Sequence, residues 1–303
     1  MGSEDEPLVT IGLCVKNAAN TVAWTIRTIV SQSYDNVELI VVDGMSTDGT
    51  LDIIKRELSQ LNIPARIESD NGKGLAYARQ LVVDYAKGKY VLWVDGDHIL
   101  PHDYVKKQVI FMENHSDAGA AEAITRHIGS SLVAKLEGYI WRIYSKKRVG
   151  KNLESVGSAG TIYRLEAIKE VGGYDIRIRG AGEDGDISRR IKKKGWSLYI
   201  NPDAYYYHVV RSTWRDLWRE YYWWGYGAHY VAHKHPYSVN PWKFIPLIAF
   251  ISGVKHGLEA LKQTNDLTCL LMPIHYAWKR TAWTIGWIKA HYDRYGHDQG
   301  VVS

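Results

Sequence analysis

Carboxylates beside glycines recur in this 303-residue chain where a backbone has to turn. Asp43 closes the apolar run in ELIVVDGMSTDGT, Asp95 and Asp97 close VLWVDGD, and Glu183, Asp184 and Asp186 crowd into GAGEDGD. Carboxylate oxygens bind hard divalent cations and, within reach of a reacting hydroxyl, act as general bases. Each pattern also has a plain structural reading: a D-x-D serves as a loop or cap, and acidic residues at GEDGD favour the positive end of a helix dipole. His208, in PDAYYYHVVRST, comes 24 residues after Asp184. Neutral imidazole is a competent metal ligand, although a lone His is more often a satisfied core or surface residue. His229, His233 and His235 have ligand-like spacing, but no Glu follows in the H-E-x-x-H manner and no carboxylate cluster accompanies them, so they read as interfacial.

The elements that would position these groups follow from hydrophobic period. Residues 9–15 form a β-branched run, followed by a helical stretch over 21–31 and a second strand over 37–42. The pattern continues with a helix over 50–60, a short strand over 65–68, a helix over 74–86 and the apolar strand 90–94. Strands separated by helices predict βαβ crossovers and a mostly parallel, three-layer α/β sheet. Ligands of such sheets bind beyond the carboxyl ends of the strands, where the acidic segments fall.

Four motifs agree in order and spacing: the first strand with LCVKN, VVDGMSTDGT, the D-x-D of VDGD, and SAGTIYRLEAIKEVGGYD running into GEDGD. Over residues 8–210 the chain resembles inverting family 2 glycosyltransferases of the A-type fold, which use nucleotide-diphosphate sugars. That resemblance implies a catalytic domain over 8–210, a UDP- or GDP-linked donor and a Mn2+ or Mg2+ cofactor on the leaving diphosphate. It implies Asp97 as the principal metal ligand, with His208 on the metal or diphosphate. On an extended segment the two carboxylates of a D-x-D point to opposite sides, which leaves Asp95 for the ribose. Asp43 would read the base edge beside Val15 and Asn17, and Asp70 and Lys73 would lie along the nucleotide. Many relatives have Asp-Asp where this chain has Asp43-Gly44. The resemblance makes Asp184 the general base and puts Gly160, Glu183 and Trp218 among the acceptor or donor-sugar contacts.

Composition bounds the rest. With 46% apolar and 23% charged residues the chain is neither disordered nor collagen-like. Cys14 and Cys269 are too few and too far apart for a disulfide framework, which fits a reducing cytosol. MGSEDEP has no basic region followed by an apolar one and reads as a polar tail rather than a signal peptide. Eight of the 12 Trp lie beyond residue 210, where Lys and Arg number 11 against 6 Asp and Glu; residues 1–210 balance at 27 each. The formal charge of +5 is therefore carried by residues 211–303. RSTWRDLWREYYWWGYG sets Trp214 on Trp218 and Arg215 on Arg219 at i, i+4, giving an aromatic face beside a basic one.

Two more stripes follow, through Leu247, Ile251, Val254, Leu258 and Leu261, and through Leu267, Leu271, Ile274, Trp278, Ala282 and Ile285, the second interrupted by Lys279 and Arg280. No stretch reaches the ~20 uninterrupted apolar residues of a membrane span. The expectation is an amphipathic extension lying on an anionic membrane surface, at the cytoplasmic face of the cell membrane, with no nucleic acid partner; packing of these helices on protein is the plainer alternative. A hydroxyl of a lipid-linked or glycan acceptor is favoured over a polyprenyl phosphate, because an ionised phosphate needs no base. A dolichyl-phosphate sugar synthase and a non-catalytic nucleotide-sugar or membrane-binding scaffold are the alternatives.

Overall fold

The computed structural model describes residues 6–60, 63–148 (backbone alone over 144–147), 153–210, 212–236, 242 and 245–298. The first five residues of the polar start lie outside the described residues. β1 (Val9–Val15), α1 (Val22–Val30), β2 (Val37–Asp43), α2 (Thr50–Ser59), β3 (Ala65–Ser69), α3 (Leu75–Tyr85) and β4 (Tyr90–Asp95) alternate as the sequence predicts, each end within one residue. There follow β5 (His98–Ile99), α4 (Tyr104–Asn114), β6 (Ala118–Ile128), α5 (Leu132–Arg148), β7 (Ile162–Arg164), α6 (Leu165–Glu170), α7 (Glu183–Lys193) and β8 (Ser197–Val209). The last elements are α8 (Trp214–Lys234), α9 (Pro246–Thr264), a 3-10 turn (Leu267–Leu271) and α10 (Met272–Tyr292).

The strands make one eight-stranded sheet in the order β3-β2-β1-β4-β7-β6-β8-β5. β3, β2, β1 and β4 are parallel, while the β4–β7, β7–β6 and β8–β5 pairs are antiparallel. The period of two sorts side chains to opposite faces. Val9, Ile11 and Leu13 join Leu39, Val41 and Leu92 in one core layer, and Cys14 joins Ile40, Val42, Val91 and Trp93 in the other. Each fully buried Val, Leu or Ile contributes roughly 1.5–3 kcal/mol, so these short strands are held by what covers them. Gly12 is the exception in β1: a Cβ there would come 2.6 Å from the Trp93 ring, so its absence lets the indole lie against the strand.

Two compact units emerge. One contains Met1–Arg126, Arg148–Arg177 and Asp184–Val209; the other contains His127–Lys147, Ile178–Glu183 and Val210–Ser303. The second unit is helical. Within it α8 and α10 touch backbone to backbone, since a Cβ on Gly225 would fall 1.8 Å from the Trp283 carbonyl oxygen and one on Gly286 would fall 1.9 Å from that of Tyr222. No helix among the described residues is long and apolar enough to cross a membrane.

Two sequence expectations change here. Lys279 does not interrupt an exposed stripe: it is 6% exposed, and its Nζ lies 2.6 Å from Glu137 Oε1 on α5. Trp141 Nε1 donates to Glu137 Oε2 (3.2 Å), and His275 Nε2 sits 3.1 Å from Oε1. Burial pushes the Glu137 carboxyl up, but Lys279 and His275 outweigh it and hold the group below the usual carboxylate range. His229, read as interfacial, is instead 1% exposed and ringed by other imidazoles. A single chain position on an amphipathic helix does not reveal which neighbour folds back over it.

Candidate active site

Register aligns the carboxyl ends of the parallel strands. Val15 pairs with Asp43, Asp43 with Ser69, and Cys14 with Asp95, so the residues after β1, β2, β3 and β4 meet at one sheet edge. The first two loops are stitched together there. Asn17, at φ 52°, accepts at Oδ1 from the Thr47 amide (2.9 Å) and donates its own amide to Ser46 Oγ (2.9 Å). The Ala18 and Ala19 amides donate to Thr50 Oγ1 (2.8 Å) and Asp48 Oδ2 (3.0 Å).

Asp43 is 4% exposed; its Oδ2 accepts from the Ser46 amide at 3.0 Å, while its buried Oδ1 accepts no hydrogen bond among the described residues. A buried acceptor without a donor is costly unless a ligand supplies one. Asp70 differs. Its two oxygens accept from the Gly72 (2.8 Å) and Gly74 (3.0 Å) amides, so this carboxylate, expected along a nucleotide, shapes the turn that leads into α3. Lys73 is exposed on that turn, its Nζ 4.3 Å from the Tyr77 ring centroid.

The D-x-D is not extended. Asp95 ends β4, Gly96 and Asp97 form a turn, and the chain re-enters a strand at His98. The turn leaves both carboxylates beside one imidazole: His98 Nε2 lies 3.5 Å from Asp95 Oδ2 and 3.9 Å from Asp97 Oδ1. Arg79 approaches Asp95 Oδ1 at 3.9 Å from the other side. His208, inside β8 rather than after a strand, is the register partner of His98, and its Nε2 lies 3.3 Å from Asp97 Oδ2. Ligand atoms of Asp97, His98 and His208 all lie within 4.8 Å of one another.

The tautomer separates the two histidines. His98 Nδ1 accepts from the Asp95 amide at 3.1 Å, so the ring proton is on Nε2, aimed at the carboxylates. Burial pushes this imidazole down to about 4, and it is neutral near pH 7. With its proton on Nε2, His98 has no lone pair to offer there, and among the described residues its Nε2 makes no hydrogen bond to Asp95 or Asp97, so the pair that fits a cation is Asp97 with His208.

Across the β4–β7 pairing, the Gly160 amide donates to the Trp93 carbonyl (3.1 Å), which sets the 157–161 segment beyond the end of β4. A Cβ at Gly157 would stand 3.7 Å from Asp184 Oδ2, so the Asp184 carboxylate faces this segment; its Oδ1 accepts from the Gly185 amide at 2.6 Å. Behind it lies Glu122 on β6, held by Arg148 at 2.8 and 3.0 Å and accepting from the Gly157 amide at 3.3 Å. Burial pushes the Glu122 carboxyl up, against the pull of Arg148.

Gly160 is not at the surface. It is buried at φ +63°, where a Cβ would strike Tyr206 at 2.3 Å, and its carbonyl accepts from Tyr104 Oη and Gln108 Nε2. Glu183 is 3% exposed at the first position of α7, and Trp218 lies on α8 with its ring 4.7 Å from that of Trp278.

Sequence reasoning missed His98, Arg79 and Glu122. His98 directly follows the D-x-D, and Glu122 is a single carboxylate in the apolar run AGAAEAI; both signals were present but weak alone.

The profile of glycosyl transferase family 2 matches residues 10–172, more than half of the chain. The chain belongs to glycosyl transferase family 2. This glycosyltransferase is 24% identical over 226 residues to glycosyltransferase GlyA of Streptococcus pneumoniae, covering 70% of the chain and 32% of that protein. It is 22% identical over 245 residues to the poly-beta-1,6-N-acetyl-D-glucosamine synthase of Staphylococcus aureus, covering 79% of the chain and 59% of the synthase. The glycosyltransferase thus spans about a third to three fifths of the length of these relatives. Its fold is similar to that of a mannosyltransferase from Pyrobaculum calidifontis solved with GDP-Man and Mn2+, at a TM-score of 0.69 and 19% identity, covering 96% of this chain and 89% of the other.

Proposed function

We propose that this glycosyltransferase moves a sugar, with inversion, from a UDP- or GDP-linked donor to a hydroxyl of a lipid-linked or glycan acceptor. A divalent cation would be held by Asp97 and His208. The observation that carries this reading is their 3.3 Å approach at the end of β8, with the buried His98 ring beside both carboxylates of the D-x-D. A bound cation supplies charge neutralisation for the leaving diphosphate. A set containing an imidazole suits Mn2+ better than Mg2+, which prefers oxygen alone. The mannosyltransferase of similar fold, solved with GDP-Man and Mn2+, supports the same choice.

The protein groups divide the remaining work. Asp43 Oδ1, buried and without a donor, suits the ring N–H of a uracil or guanine, with Val15 and Asn17 beside it. Asp95, between Arg79 and His98, accepts from a ribose hydroxyl, and Lys73 lies along the phosphates. Asp184 takes the proton of the acceptor hydroxyl as that oxygen attacks the anomeric carbon and the bond to the diphosphate breaks.

We further propose that the helical unit rests on an anionic membrane at its cytoplasmic face. Leu247 (66%), Ile251 (61%) and Leu258 (49%) on α9 and Ile274 (56%) and Ile288 (47%) on α10 are exposed, a costly arrangement in water and a favourable one in a headgroup layer. Trp214, Trp218 and Trp278 pack edge to face on one another, with Trp278 still 39% exposed. The same apolar face would suit a polyprenyl-phosphate sugar synthase, a reading that makes Asp184 dispensable.

The test of the metal assignment is Asp97→Ala, followed by calorimetry of UDP and GDP binding with and without Mn2+. Loss of the Mn2+-dependent part, with an unchanged melting curve, is the expected result. Unaltered Mn2+-dependent affinity overturns the assignment.

A further inference from the structure

Within the helical unit, three histidines from two distant stretches of chain converge. His229 and His233 lie one turn apart on α8, and His297 comes from the turn that follows α10. Their ligand nitrogens all lie within 4.8 Å of one another. The ring centroids are 4.7 Å apart for His229 and His233, 4.9 Å for His233 and His297, and 5.5 Å for His229 and His297. His291, at the end of α10, borders the group, with its Nδ1 3.4 Å from His229 Nε2.

The buried member is prepared for coordination. His229 Nδ1 lies 2.7 Å from the Tyr295 carbonyl oxygen, so it must carry the proton and donate it. Nε2 then carries the lone pair, 3.4 Å from His291 Nδ1. A backbone carbonyl holding the far nitrogen is the usual outer support of a metal-bound histidine.

The turn carrying His297 is built rather than loose. Gly296, at φ +89°, sits against Tyr230, where a Cβ would come 2.8 Å from Cα. Tyr295 stacks on Tyr226 at 5.0 Å and donates its amide to the Ala290 carbonyl. The His297 amide closes the turn onto the Arg294 carbonyl at 3.2 Å.

We propose that His229, His233 and His297 form a second metal site, for a borderline transition ion of the Zn2+ class, that clips the turn after α10 to α8. The donor set is all nitrogen, unlike the carboxylate and imidazole of Asp97 and His208, and imidazole alone selects Zn2+, Co2+ or Ni2+ over Mn2+ and Mg2+. Zinc bonds to nitrogen at about 2.0–2.1 Å, so small ring rotations bring three such nitrogens onto one ion and leave a fourth tetrahedral position.

The experiment uses the full chain carrying Asp97→Ala, so that the other site does not contribute, stripped with a chelator and titrated with Co2+ and then Zn2+. The expected result is the absorption of tetrahedral Co2+ saturating near one equivalent, displaced by Zn2+, and a melting temperature raised by Zn2+ but not by Mg2+. In H233Q and H297Q, both at partly or fully exposed positions, the Co2+ bands and the Zn2+ shift are lost while the metal-free melting curve stays in place. Equal Co2+ spectra in these variants, or no Co2+ band in the parent, overturns the proposal.

Discussion

The α/β unit and the helical unit differ in what they leave open to solvent. In the first, aliphatic side chains fill two layers, a few charged groups such as Asp43 and Asp186 are buried, and Asp95 and Asp97 at the end of β4 and Asp184 at the start of α7 are partly open to solvent. In the second, a carboxylate, an ammonium and an imidazole (Glu137, Lys279 and His275) are buried together while Leu247, Ile251 and Ile274 are exposed. Charge at a surface is inexpensive and can act on a ligand; charge inside is costly and stable only as a closed set. The first arrangement is that of a site, the second that of a scaffold with an apolar outer face.

The sharpest way to break this contrast is to remove function from the first unit without touching its fold. Asp184→Asn keeps size and hydrogen bonding but cannot take a proton, so turnover is expected to fall by ~10²–10⁴-fold with donor affinity unchanged, as steady-state kinetics and calorimetry would register. Near-normal turnover would favour the phosphate acceptor. The matching change in the second unit is Lys279→Ala, which strands Glu137 and is expected to cost roughly 3–5 kcal/mol in chemical denaturation. A loss below about 1 kcal/mol would mean that the buried group behaves like a surface pair.

A smaller effect is expected outside. Replacing Leu247, Ile251 and Leu258 together by Ser should abolish flotation on anionic vesicles while the melting curve barely moves, because exposed side chains contribute little to folding. Unchanged flotation would remove the membrane reading of that face. The remaining effect is in pH. His98 and His229 are both pushed down to about 4 by burial, so between about 4 and 6.5 the unfolded chain binds more protons than the folded one. Stability should therefore rise with pH across that window and level off above it, by at most about 1.4 kcal/mol per pH unit for each histidine. His98→Asn should flatten part of the slope in melts taken from pH 4 to 7; an unaltered slope would put His98 in the wrong environment.

The same contrast governs what could be read from the sequence. β1 to β4 and their helices were legible because a buried β-branched run bounded by turn residues has few other uses. The D-x-D and Asp43 were legible because they stand where such runs end, and Asp184 because GEDGD follows the other motifs in the order of the resembled family. The geometry of the D-x-D was not: a glycine between two aspartates permits extension or a turn, and the pairing of His98 with His208 decided it. In the helical unit a period of 3.6 identified the faces but not their partners. Lys279 reads as a surface cation until α5 supplies Glu137 from 142 residues away.

The β5–β8 pairing also has a kinetic consequence. His98 and His208 are joined by two strands' worth of hydrogen bonding but separated by most of the α/β unit, so closing that loop belongs to the slow, non-local part of folding. During synthesis the segment with Asp97 leaves the ribosome long before β8 exists. The nascent chain carries Asp97 without its partner His208. On the proposed assignment, a cation would therefore find its pair of ligands only once the sheet is complete, and a chain cut short before residue 208 would keep the D-x-D and lack the imidazole.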